Sequence, residues 1–420
     1  MEVKIIKSDS ESVTIRMEVT IPLKKGMLDM EESIQQAVNE AGIIGTKYAL
    51  SQFDTDGKPI TVEDKKYTSK GLVSNTYQCP FGEFELCRHV YQSNEGGSTY
   101  CPLDDDARIL VCTTPKFAKM VSMKYSQSSA KHVQRDLKEN HGRFISHTYI
   151  QNTAKAVSDV ASSKSWSYST GISSSEVSGI AISLDGTCML LREDGWRQAM
   201  VGSISLLNNE GIRIHTTYHA QAPEYGKETF YRYLAKEIES IKKKYQDKRC
   251  IGLADGAADN WKFLEPFVDV QVLDFFHATE YLTKVSKAVF KDKSEAEEWL
   301  KQTCHILKHE TDGAELLLEG MNNLMNKKKN KNKKEEIEKA VTYFSNHLHQ
   351  MDYANYLARN IPIGSGVIEA ACKVIIKQRM CSSGMRWTDE GAKSVLVLRC
   401  FNETNGKWNQ FWKKVSKMGY

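Results

Sequence analysis

Apolar and polar positions along this 420-residue chain follow two rhythms, alternation at every second residue and recurrence every three to four. The first is clearest at 178–193. There Ile180, Ile182 and Leu184 alternate with small residues, and Met189, Leu190 and Leu191 resume after Gly186, which predicts a buried strand with a bend or a close backbone approach at the glycine. Two strand-like runs follow at 198–207 and 211–218, joined by the turn sequence Asn208-Asn-Glu-Gly. Then come an amphipathic helix at 227–245, a short strand at 249–254, a short helix at 261–267 and a fifth strand at 270–277.

Three antiparallel strands, a helix, a strand, a helix and a strand is the ribonuclease-H-like order. The expected fold class is therefore α/β, a mixed five-stranded sheet flanked by helices. Upstream, 12–21 alternates as a strand, 29–49 keeps the helical period, and 72–101 holds two or three strands turning at Pro80-Phe-Gly and Glu95-Gly-Gly. At 129–155 a helix, a turn at Gly142 and a second helix from near Ser146 have the layout of a helix-turn-helix or of a plain helical hairpin. In the first case His147, Thr148, Gln151, Asn152 and Lys155 would face a major groove. A serine-rich linker follows at 162–175. Beyond His277 the pattern is helical to about 356, and 387–415 holds one or two more helices with Leu396, Leu398, Trp408 and Trp412 as core positions. The expected division is an α+β module (1–113), a helix-turn-helix-like DNA-binding region with linker (114–175), the first part of the core (176–280), an all-helical insertion (281–356) and the core's C-terminal helices (357–420).

The formal net charge of +4 hides two basic clusters. Six lysines fall in the eight residues from Lys327 to Lys334, Lys328 and Lys329 among them, and a second run spans 242–249. Such runs suit phosphate backbones or simply a solvated loop. The ten cysteines form no C-x-x-C pair, so reduced thiols in a cytoplasmic protein are expected, and the spacing of Cys79, Cys87 and Cys101 fits ordinary buried thiols better than a zinc ribbon. No signal sequence is visible, and no apolar run approaches the roughly 20 residues that cross a bilayer.

Three acids stand out against this background. Asp185 interrupts an apolar strand, Asp255 ends another, and Glu369 sits in the first turns of a helix opening at Gly364 and Gly366. An isolated buried carboxylate costs several kcal/mol unless a metal or a basic partner neutralises it. In the expected sheet the first and fourth strands are neighbours, which sets Asp185 against Asp255. Hard oxygen ligands at Asp185, Asp255 and Glu369 suit two Mg²⁺ or Mn²⁺ ions, which drive in-line phosphoryl displacement. His305 and His309 precede Glu310 in an order that matches no zinc-hydrolase motif and are expected at a helix surface.

The segments Ser-Leu-Asp-Gly-Thr around Asp185, Ala-Asp-Gly-Ala around Asp255, Leu-Asp-Phe-Phe-His around Asp274, Gly364-Ser-Gly-Val-Ile-Glu-Ala-Ala-Cys-Lys and Cys381-Ser-Ser-Gly-Met-Arg-Trp together resemble bacterial insertion-sequence transposases of the DDE class, closest to the Kra-type family. The likeness runs from about Cys79 to the C-terminus. It implies a catalytic triad of Asp185, Asp255 and Glu369, DNA as substrate, a homodimer that brings two element ends together, and a place at the bacterial nucleoid. Asp274 and His277 resemble the Asp-x-x-His element of Mutator-like transposases. His277 would orient water or a metal-bound carboxylate, or serve as a structural histidine. Lys373 and Arg386, flanking the third acid, would contact the scissile strand. The family's cysteine-paired stretch before Pro102-Leu-Asp is missing, which weakens any N-terminal metal site.

Three rivals share parts of this pattern. A haloacid-dehalogenase-type phosphatase fails because Ser183 stands where its nucleophilic aspartate is required. A nuclease on the same fold would hydrolyse without joining strands, and a transposase-derived DNA-binding protein would not cleave at all.

Overall fold

The computed structural model describes residues 2–8, 12–18, 20, 23, 26–164, 166–327 and 331–420. The chain divides into two units, Met1–Trp166 with Trp408–Tyr420, and Ser167–Lys407.

In the first unit, β1 (Glu2–Ser8) and β2 (Val13–Glu18) pair antiparallel and the helix α1 (Met27–Ser51) follows. Strands β3 (Ile60–Val62), β4 (Lys65–Gln78), β5 (Glu83–Ser93) and β6 (Thr99–Tyr100) form an antiparallel sheet in chain order, and Tyr77, Cys79, Phe84 and Leu86 cluster with Leu50 and Leu103. The short helix α2 (Pro102–Asp106) leads to three helices, α3 (Pro115–Gln127), α4 (Ala130–His141) and α5 (His147–Ser163). Ser129 and Ser146 cap α4 and α5 by accepting from the backbone N–H groups of His132 and Tyr149, each satisfying one of a helix's unpaired first donors. Val133, Leu137, Ile150 and Val157 close the space between the helices. The strands β1 and β3 are not apparent in the residue pattern, because Lys and Thr interrupt their short apolar runs.

The second unit is mixed α/β. Strands β7 (Gly179–Leu191), β8 (Gly195–Leu207) and β9 (Arg213–Gln221) form an antiparallel meander. The helix α6 (Glu228–Lys244) returns the chain to β10 (Arg249–Ala254), and α7 (Ala258–Leu264) to β11 (Val270–Leu273). The sheet order is β11-β10-β7-β8-β9, with β10 parallel to both β7 and β11. Phe230, Leu234, Ile238 and Ile241 recur at the helical period on α6 and are buried with Ile180, Ile182 and Ile204 of the sheet. Five helices follow, α8 (Phe275–Val289), α9 (Lys293–His309), α10 (Gly313–Lys327), α11 (Lys331–His347) and α12 (Tyr353–Ala358). The helix α13 (Gly366–Ala371) runs into a π-helical turn, Cys372–Lys377, and on to α14 (Gln378–Met380). Leu396 and Leu398 are buried on α15 (Asp389–Glu403). The last helix, α16 (Lys407–Met418), carries the buried Trp408 and Trp412 and from Trp408 onward belongs to the first unit. No helix among the described residues is long and apolar enough to cross a membrane.

One expectation is narrowed and one needs correction. Of the bend or close backbone approach expected at Gly186, the close approach holds, since the ladder with β8 continues through Asp185↔Val201 and Gly186↔Met200. The glycine is there for close approach, because a Cβ on Gly186 would collide with the Gln198 side chain. The fifth strand stops at Leu273 and not at His277, because Asp274 is a far better helix cap than a strand residue and starts α8.

The β8–β9 turn offers a direct test of this packing. Asn208 Oδ1 accepts from Glu210 N and Ile212 N, while Gly211 sits at φ +74° with its would-be Cβ in collision with the Asn360 carbonyl oxygen. Gly211→Ala should cost about 1–3 kcal/mol, read as a lower urea midpoint at unchanged slope. An unchanged midpoint contradicts the turn as described.

Candidate active site

The register of β7 against β10 fixes the first feature of the site. Leu253 pairs with Ser183, and two residues further along each chain stand Asp255 and Asp185, so backbone pairing alone sets two carboxylates on chains about 4.8 Å apart. Asp185 Oδ1 accepts from Gly186 N at 2.6 Å and Oδ2 from the Cys372 thiol at 3.6 Å. Asp255 Oδ1 accepts from Ala257 N at 3.2 Å and Asn260 Nδ2 at 3.4 Å, and the Asp255 carbonyl accepts from Tyr343 OH at 2.9 Å. Among the described residues neither acid has an ion-pair partner.

The electrostatics follow from that confinement. Burial holds the Asp185 carboxyl above its ordinary pKa and the charge of Asp255 pushes the same way, while the Gly186 N–H, the Cys372 thiol and His277 oppose them. Burial, and then the charge of Asp185, drive the Cys372 thiol well above its usual range, so it stays a neutral donor.

Asp274, 0 % exposed, is the clamp that brings the third acid near. Its Oδ1 accepts from His277 N at 2.9 Å at the start of α8, and its Oδ2 accepts from Ser365 N in the turn that opens α13. Beside it, Asp274 N donates to Ala254 O and Phe275 N to Ile363 O, both at 2.9 Å. The Asp274 carboxylate therefore ties the start of α8 to the entry to α13, and its backbone N–H ties both to the end of β10. His277 is half-buried with Nδ1 4.0 Å from the Glu280 carboxylate.

Glu369 is exposed on α13, with Oε1 accepting from Ser365 Oγ at 3.4 Å. It lies three residues before Cys372, one helical turn from the thiol that touches Asp185, or about 5–6 Å between Cβ positions on that face. Arg399 steadies the following π turn from a buried position. Its Nε donates to Ile375 O at 2.9 Å and its Nη2 to Val374 O, occupying carbonyls that the widened turn displaces from the helical ladder. Lys373 and Arg386 are exposed, and among the described residues neither has a carboxylate partner.

The other expected site residues lie elsewhere. On α5, in the first unit, His147, Thr148, Gln151 and Asn152 are exposed on one face, Lys155 pairs with Asp159 at 3.1 Å, and Ile150, Ala154 and Val157 are buried on the other. Lys327 ends α10, and Lys328 and Lys329 lie outside the described residues. His305 and His309 are exposed with ring centroids 4.9 Å apart. Residue-pattern reasoning missed Cys372, Ser365, Asn260 and Tyr343. Cys372 was detectable as the residue one turn after Glu369, whereas Tyr343 arrives from a helix 88 residues beyond Asp255 and leaves no local trace.

No protein-family model matches this chain, and no curated protein matches it. The donor chemistry therefore has to be judged on the structure itself. Asp185 and Asp255 offer hard oxygens in a site whose own carboxylates repel, which is the environment a divalent cation relieves. Yet among the described residues no three His, Cys, Asp or Glu side chains gather into a group that could hold a metal. The pair fits a cation, and Glu369, one helical turn from the thiol that touches Asp185, closes no three-ligand group among the described residues.

Because folding raises the Asp185 pKa, the fold favours its protonated form. That contribution is complete below the unfolded pKa and is lost as pH rises through the folded one. Asp185→Asn should accordingly melt above the parent at neutral pH without divalent ions, by roughly 2–4 °C for each kcal/mol of relief, with the gap closing in acid. Equal melting temperatures at neutral pH would refute the strain. Asp274→Ala should cost roughly 2–4 kcal/mol, since it strands two N–H groups. A loss under half a kcal/mol by denaturant titration would remove the clamp from the account.

Proposed function

We propose that this chain is a Mg²⁺- or Mn²⁺-dependent DNA transposase of the DDE class, built on a ribonuclease-H-like core, that cuts the ends of its own insertion sequence and joins the 3′ ends to target DNA. The observation that supports this reading is the parallel pairing of Leu253 with Ser183, which sets Asp255 and Asp185 two residues beyond it on neighbouring chains, in a mixed five-stranded sheet of order β11-β10-β7-β8-β9, the order expected of a ribonuclease-H-like core. The sequence likeness to Kra-type transposases, and to the Mutator-like element at Asp274 and His277, points the same way.

In this reading Asp185 and Asp255 bind the cations, and Glu369 reaches them from α13. When bound, such ions make a water or a 3′ hydroxyl nucleophilic and stabilise the departing oxygen. Asp274 keeps Glu369 on station, and His277 would orient water or a metal-bound carboxylate. Lys373 and Arg386 present free positive charge to the phosphates next to Glu369. The face of α5 from His147 to Lys155 reads the element ends, the lysine run 327–334 holds backbone phosphate, and two copies bring the two ends together in the bacterial cytoplasm.

That no three-ligand group forms among the described residues favours one second reading, a transposase-derived protein that binds DNA without cutting it. The test uses labelled DNA carrying the ends of the element that encodes this chain. In Mg²⁺ the parent should release and join 3′ ends, while Asp185→Asn and Asp255→Asn should be slower by roughly a hundredfold or more, with band shifts unchanged. A band shift without cleavage by the parent leaves only the second reading, and cleavage without joining makes the chain a nuclease.

A further inference from the structure

At one edge of the second unit's sheet, β9 ends before β8 does. The last pair is Met200↔Gln221, so the β8 segment from Gly195 to Ala199 runs on with no strand on that side. The chain then crosses this open edge between Ala222 and Lys227, enclosing a cleft of about 240 Å³ against Arg197, Gln198 and Met200.

One large aromatic stands out at this cleft. Tyr225 is 83 % exposed, although burying its ring would have stabilised the fold. The Arg197 guanidinium lies 4.7 Å from the centre of the Tyr225 ring, a cation and a π-face held together at the mouth. The lining carboxylate is already used, because Glu224 Oε1 accepts from Phe230 N at 3.0 Å at the start of α6. Arg197 and Lys227 have no carboxylate partner among the described residues. The acids Glu193 and Asp194 are exposed in the β7–β8 turn, off the cleft lining.

The Gln198 side chain lies against Gly186, on the face of the sheet opposite to the Asp185 side chain, because neighbouring residues of the unbroken β7 ladder project to opposite faces. The cleft is smaller than the ~300–1,000 Å³ typical of drug-sized ligands, so one planar ring fits and a duplex does not. Stacking on an aromatic face beside unpaired cations is how proteins hold single-stranded nucleic acid without reading its sequence.

We propose that the Arg197–Tyr225 cleft receives an unstacked base of a single-stranded segment. This rests on the reading of the chain as a DNA-processing enzyme and adds a single-strand subsite that the acids do not supply.

The test measures anisotropy of a fluorescein-labelled 12-nucleotide thymidine strand, and separately of a duplex, on the full chain in EDTA, where no cleavage intrudes. Tyr225→Ala should weaken single-strand binding by roughly tenfold, as the loss of one stacked base predicts. Tyr225→Phe should keep it and Arg197→Ala should lose it in part, with duplex binding within about twofold throughout. Circular dichroism melting should show all three folded, since Tyr225 carries no core contact to lose. Parent-like single-strand binding by Tyr225→Ala, or equal losses on single strand and duplex, overturns the subsite. If the ring variants behave as stated and the parent never cleaves in Mg²⁺, the subsite stands and the transposase reading falls.

Discussion

The parallel pairing of β10 with β7 is the constraint on which the site depends. Where the pairing stops at Leu253 and Ser183, the next residues but one on the two chains are Asp255 and Asp185. The sheet cannot keep its buried Ile180, Ile182, Ile251 and Leu253 together without also forcing the two carboxylates toward each other. Burial, and to a smaller degree the charge of Asp255, hold the Asp185 carboxyl above its ordinary pKa, and folds tolerate such strain mainly where it serves a task.

A second carboxylate manages the surroundings. Asp274 is completely buried and spends both oxygens on backbone N–H groups from two different elements. Its role is mechanical, fixing the turn at Ser365 and with it the phase of α13, so that Cys372 meets Asp185 and Glu369 stands one turn away. Arg399 does similar work behind α13 by holding the carbonyls of the π turn, a widened helix that places its side chains differently from a regular one. Tyr343 reaches in from α11 to the Asp255 carbonyl, which couples the helical segment after β11 to the position of the second acid.

Much of this arrangement was legible in the residues. The alternation of Ile180, Ile182 and Leu184, the Asn208 turn and the four-residue spacing of Phe230, Leu234 and Ile238 specified the meander and its helix, because each rests on local periodicity. Where the residue pattern misled, a local preference was overruled. Asp274 follows an apolar run and reads as strand, yet its capping bonds to His277 and Ser365 end the strand, and one of those partners is 91 residues away. Gly186 reads as a bend or a close backbone approach, and the second holds, because its missing Cβ makes room for Gln198 while the ladder continues. The distance of Glu369 from the other acids was not legible, since it depends on how the π turn sets the rotation of α13.

The central claim is that Asp185 and Asp255 form one cation-binding pair. Titrating Mn²⁺ into the parent, Asp185→Asn and Asp255→Asn while following the loss of the free-ion electron paramagnetic resonance signal tests it most directly. The account predicts that the parent takes up Mn²⁺, that either single substitution weakens uptake by tenfold or more, and that the double variant is no worse than the weaker single one. Equal uptake by all the proteins, or none by the parent, would contradict it.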